Sequence, residues 1–134
     1  MTVDVAEKLI SFHTSNTGAE NFVPFEYEEP GVGMQTFGEI HLIRAGGSGD
    51  GTLLAGIWRL QESTTSPVYT SAAGDETFLV LEGEVTIQVL DTDETFHFKP
   101  GDIGSWSKGT RTIWDFKAPF KKFVVVAHDQ PMPG

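Results

Sequence analysis

The stretch GDETFLVLEGEV, from Gly74 to Val85, holds a continuous apolar run, Phe78 to Leu81, closed off by Gly74 and Gly83. A run of this length between glycines is expected of a β-strand covered on both faces. Glu76 shares side-chain parity with Phe78 and Val80, so one face of the strand carries a carboxylate beside two apolar groups. An unpaired buried carboxylate is costly. Glu76 is therefore expected to be paired, protonated, on a metal, or at the mouth of a wet cavity.

On either side of this stretch the pattern is strand after strand. Upstream, FGEIHLIRA (residues 37–45) alternates, with Phe37, Glu39, His41 and Ile43 on one parity. GGSGDG turns into TLLAGIWRL, and the loop QESTTSP leads to VYTS. Downstream of a turn at Glu82-Gly83, EVTIQVL places Val85, Ile87 and Val89 on one face. DTDE turns into TFHFK, PGD into IGSWS, and KG into TRTIWDF, with APF leading to KKFVVVAH. Gly83 supplies the positive φ that a two-residue hairpin loop needs. In Pro100-Gly101-Asp102 the Asp side chain can cap local backbone amides. Eight or more short strands with regular Gly, Pro and Asp punctuation predict an all-β sandwich or barrel.

Residues 1–35 read as an N-terminal arm. Val3 to Ile10 can form a short helical turn, and the polar, Pro- and Gly-bearing stretch after it has no sustained period. Phe22, Val23, Phe25 and Tyr27 are too apolar for a free tail, so the arm is expected to pack on the barrel or on a second subunit. Residues 36–130 then form a single domain, as 134 residues allow.

The chain has no cysteine, which excludes disulfides, thiol catalysis and Cys-type zinc sites. A net charge of −10 opposes binding to nucleic acid or to anionic lipid. The first ten residues lack the basic and apolar blocks of a signal peptide, and no run is long enough for a membrane helix, so a cytoplasmic location is expected. Six of the nine basic residues fall between positions 99 and 122. Lys99, Lys108 and Lys121 read as solvated strand-edge charges, whereas Lys122, next to the apolar FVVV, stands apart.

Two motifs give a resemblance. Glu76, followed after six residues by Gly83 within LEGEV, is similar to the close of the first cupin motif; PGDIGSWSKGTRTIW, with Gly101 and Gly109 at the glycine positions, resembles the second. GIWRL, LEGEVTI, PGD, Trp114 and KKFVVV look more narrowly like the ureidoglycine-aminohydrolase branch, over roughly residues 50–127. The resemblance implies a small RmlC-like jelly-roll (cupin) β-barrel. It also implies pairing into a homodimer through exchanged N-terminal strands.

Metal-binding cupins hold a divalent ion with three His and one Glu. Here the two first-motif His positions fall on Tyr69 and Ser71, or on Thr70 and Ala72 in the shorter spacing, and the second-motif His position falls on Thr112. Only Glu76 remains of that ligand set, and one carboxylate with hydroxyls is a poor transition-metal site. His41 is the one histidine left as an added ligand, because His13 lies in the arm, His128 near the terminus, and His97 faces opposite to Phe96 and Phe98. No metal or other cofactor is expected.

In a barrel, alternate residues of several strands converge on one interior. Tyr69, Ser71, Glu76, Thr112 and Trp114 are then expected to line a cavity, with Trp58 and Lys122 on neighbouring strands. Such a mixture of aromatic walls and few polar groups suits a small-molecule ligand. Trp58 and Trp114 are also readable as core aromatics, and Glu76 with Lys122 as a structural ion pair. Three functions stay open. One is metal-free binding of a small polar or amphipathic metabolite. Another is hydrolysis of a ureido or amino compound with Glu76 as the catalytic acid/base. The third is a structural homodimer with a vestigial cavity.

Overall fold

The computed structural model of the protein describes residues 21–46 and 52–128. His13 and the helical turn expected over Val3 to Ile10 lie outside the described residues. Among the described residues nine strands follow in chain order: β1 (Val23–Glu29), β2 (Gly33–Ala45), β3 (Thr52–Leu60), β4 (Thr64–Thr65), β5 (Tyr69–Thr70), β6 (Asp75–Val89), β7 (Glu94–Phe98), β8 (Ile103–Trp106) and β9 (Arg111–His128). All pair antiparallel, and no helix occurs among the described residues. No described helix is long and apolar enough to cross a membrane.

β6 and β9 run side by side through both layers of the barrel. The C-terminal half of β9 pairs with β3 and with the first half of β6; β2 and β1 continue the layer beyond β3, and β8 flanks β6. The N-terminal half of β9 pairs with the second half of β6, with β7 beyond it and β4 and β5 opposite. Buried Phe78, Val80, Ile87, Phe116, Phe120 and Val124 fill the space between these layers. This is the all-β architecture that the strand punctuation predicts, in the jelly-roll form that the resemblance implies.

Three local expectations change. First, Glu82-Gly83 is no hairpin: β6 runs unbroken from Asp75 to Val89, paired with β9 along its length. Gly83 does take a positive φ of 79°, but the register passes from Glu82↔Lys121 to Glu84↔Lys117. β9 thus carries two extra residues there, and the strand pair bends from one layer into the other instead of reversing. A Cβ on Gly83 would run into Pro119 O and lie 2.8 Å from Lys117 O. Second, TRTIWDF and KKFVVVAH are one strand for the same reason.

Third, the alternation of β2 is interrupted. Gly38 has φ of 71°, and the β1–β2 register shifts across it, from Pro24↔Glu39 to Glu26↔Thr36. One extra residue exchanges the faces, so Phe37 is followed on the inner side by Ile40 and Leu42 rather than by Glu39 and His41. Within the segment read as an arm, β1 hydrogen-bonds to β2 of the same chain.

Candidate functional site

Each polar group of the barrel interior is placed by strand register. Trp58 on β3 and Val80 on β6 both lie opposite Lys122 on β9. Tyr69 on β5 lies opposite Thr112 on β9. Glu76 enters from β6 beside Val126 of β9, two residues from Phe78. Between them is a cavity of about 880 Å³, whose walls include Phe37, Ile40, Trp58, Trp114, Phe116 and Val124. Tyr69, Glu76 and Lys122 are polar groups on it.

Glu76 is 2% exposed and Lys122 7%. The Tyr69 hydroxyl donates to Glu76 Oε1 at 2.8 Å, and Lys122 Nζ stands 3.5 Å from Glu76 Oε2. That second oxygen is buried and has no hydrogen-bond partner. The Lys122–Glu76 contact is therefore an electrostatic pair without a formed hydrogen bond. Lys122 Nζ also lies 4.0 Å from the centre of the Trp114 ring and 5.2 Å from those of Trp58 and Phe78. Three π-faces supply the cation with part of what water would.

Burial lowers the pKa of Lys122, and Glu76 pulls in the opposite direction. Burial, and then the neighbouring Glu76 carboxylate, push the Tyr69 phenol well above its ordinary 10.0. Tyr69 thus stays protonated and acts as a donor.

The seven residues expected at the site divide. Tyr69, Glu76, Trp114, Lys122 and Trp58 line the cavity. Thr112 and Ser71 are buried but are not among its lining residues. Thr112 works behind the wall: Trp114 Nε1 donates to Thr112 Oγ1 at 2.7 Å, and that hydroxyl donates to Tyr69 O at 3.1 Å. It fixes the indole and the β5 backbone together. Ser71 Oγ has no hydrogen-bond partner. Trp58 Nε1 donates to Phe37 O at 3.2 Å, and its ring occupies the space that a side chain at Gly38 would need.

His41 stands outside the lining, within 3.3 Å of the Asn21 backbone and beside the Phe22 ring. His97 is exposed, with Nε2 2.7 Å from Glu84 Oε1. Among the described residues no group of three or more His, Cys, Asp or Glu side chains is arranged to hold a metal ion. One carboxylate facing an ammonium, with a phenol and hydroxyls around it, does not fit a transition metal.

Sequence reasoning missed the part played by β1. Phe25 and Tyr27 line the cavity, and Tyr27 packs edge-on against Tyr69 with 5.2 Å between ring centres. Glu29, 5% exposed, accepts hydrogen bonds from Thr70 N at 2.8 Å and from Thr70 Oγ1 at 2.6 Å, tying β1 to β5. The period-2 spacing of Phe25, Tyr27 and Glu29 was the available signal.

A barrel of this topology with its motif carboxylate turned inward defines the cupin class. Residues 47–123 match the model of the EutQ-like cupin domain, and the chain belongs to that family. None of the curated proteins matches it. Among solved structures, the polyketide cyclase RemF from Streptomyces resistomycificus superposes with a TM-score of 0.62 at 14% identity, covering 92% of this chain and 83% of that one. KdgF from Halomonas sp. gives 0.61 at 14% identity, covering 90% and 94%. An RmlC-like cupin from Shewanella frigidimarina gives 0.61 at 14%, covering 88% and 92%. At this identity the likeness concerns the fold alone.

Proposed function

We propose that this chain binds a small polar or amphipathic metabolite inside the barrel, without a metal, and acts in the cytoplasm. The observation that carries the reading is Glu76 Oε2, which faces Lys122 but has no hydrogen-bond partner, buried on an aromatic-walled cavity of about 880 Å³. A closed structural pair would satisfy both carboxylate oxygens; this one leaves an acceptor for a ligand donor. The aromatic wall suits an apolar body, and Glu76 and Lys122 suit a polar end.

The test is a thermal-shift screen of wild type and Glu76→Gln against a metabolite library, with elemental analysis of the purified protein. The reading expects a ligand that raises the wild-type melting temperature and leaves a folded Glu76→Gln unmoved. A stoichiometric transition metal in the protein would overturn it. If Glu76→Gln only melts lower and no compound shifts wild type, the structural reading of the pair wins.

A second reading is hydrolysis of a ureido or amino compound, as in the ureidoglycine-aminohydrolase type. The Glu76 carboxylate held by the Tyr69 phenol favours it, since such a pair can work as a general acid/base. Release of ammonia from ureidoglycine, lost in Glu76→Gln, would support it. Homodimer formation belongs to the same proposal, and elution as a monomer in gel filtration at micromolar concentration would remove it.

A further inference from the structure

We propose that Lys122 is a reactive amine that condenses with a small aldehyde or ketone in the barrel cavity to form an imine. The inference rests on the cavity being a ligand site, and it narrows the ligand to a carbonyl compound. A lysine reacts this way when it is desolvated, has a base to take its proton, and faces space for the carbonyl. All three conditions meet at Lys122. Its stem is buried on β9, its Nζ lies among the rings of Trp114, Trp58 and Phe78, and the residue lines the cavity. The nearest carboxylate oxygen, Glu76 Oε2 at 3.5 Å, has no hydrogen bond to give up before accepting a proton. Tyr69 holds the other oxygen and so fixes the carboxylate in place. The same burial that surrounds Nζ favours the neutral amine.

The step balances without an oxidant or a second reactant. The Lys122 ammonium passes a proton to Glu76 Oε2. The freed lone pair attacks the carbonyl carbon, a C–N bond forms, and the C=O π electrons move to oxygen. Transfer of a proton from nitrogen to that oxygen gives the carbinolamine. Glu76 then returns its proton to the hydroxyl, the C–O bond breaks, and water leaves as the nitrogen lone pair forms C=N. The products are a protonated imine, one water and the Glu76 carboxylate. The new cation keeps the same carboxylate and the same Trp114 face, so no charge is left uncompensated.

The probe is acetylacetone, a β-diketone whose imine rearranges to a stable conjugated enaminone with near-ultraviolet absorption. It is incubated with the wild-type protein at neutral pH, and the modified lysine is located by peptide mass spectrometry. The expected result is one equivalent per chain, on Lys122, formed about tenfold or more faster than on exposed Lys99, Lys108 or Lys117. Glu76→Gln slows it and Lys121→Met leaves it unchanged. Mapping on the wild type needs no variant to fold. Equal labelling of the exposed lysines, or none at Lys122, overturns the proposal. A reversible thermal shift by acetylacetone without an adduct also overturns it, yet leaves metabolite binding standing. No adduct, and no shift from any compound of the metabolite library, removes both.

Discussion

Glu76 and Lys122 are each unfavourable when buried and tolerable only together. Removing one partner leaves an uncompensated buried charge, which costs more than removing both. Lys122→Met is accordingly expected to lower stability by about 3–5 kcal/mol in urea unfolding, and Glu76→Gln combined with Lys122→Met to recover most of that loss. The alkaline flank gives an independent check. Because burial depresses Lys122, the unfolded chain binds more protons than the native one between the native pKa and 10.5, so stability rises with pH across that window. Tyr69 is raised instead: its contribution is full below 10.0 and is lost as pH climbs through its native pKa. Wild type should therefore gain stability towards pH 10 and lose it beyond. Lys122→Met should abolish the gain and Tyr69→Phe the loss. The other titratable neighbour of the Tyr69 phenol, Tyr27, remains in place in both variants.

Strand-level reading succeeded where the pattern is local and failed where it depends on a bend. The apolar parity of Glu76, Phe78 and Val80 placed three inward side chains correctly, since alternation is a property of the strand alone. Asp102 also behaves as its turn chemistry predicts, its Oδ2 accepting from Lys99 N at 2.9 Å. Gly83 was legible as a positive-φ position but not as a bend. A hairpin and a bulge make the same demand on that residue, and only the register of β9 separates them. The two kinds of glycine constraint can be told apart by experiment. Gly101 has a φ of 96° with nothing within 4 Å of an added Cβ, so Gly101→Ala should cost only the backbone penalty, about 1–2 kcal/mol. Gly83→Ala adds a collision with the β9 backbone and should cost clearly more than about 2 kcal/mol, read as a lower urea midpoint. Gly38 hid a similar effect: because of that one extra residue, His41 does not share the inner face of Phe37 as simple alternation implies.

Taken as an assembled chain, the protein surrounds an internal cation with an acidic exterior. The net charge is −10, and Glu26 and Glu28 are among the residues lining the cavity. Neutral or cationic molecules should enter more freely than anions. Labelling of Lys122 by pyruvate with cyanoborohydride should accelerate as salt rises from low to physiological strength, whereas labelling by neutral acetylacetone should not. Ligand binding has a corresponding thermodynamic signature. A compound present at a hundred times its Kd should stabilise the native state by about 2.7 kcal/mol, measurable as a shifted melting curve.

The residue order was enough to specify an all-β chain, the inner face of the strand that carries Glu76, and the cupin class. All of these follow from period, composition and short motifs, which neighbours along the chain settle between themselves. Partners distant in sequence were a different matter. That Lys122 would stand over Trp114, that Thr112 would support the wall rather than line it, and that β1 would join the lining through Phe25 and Tyr27 each required a register between separate strands. Register is set by how bulges at Gly38 and Gly83 and the packing of two layers add up. A displacement of one residue sends every following side chain to the opposite face, so the site came into being only with the folded barrel.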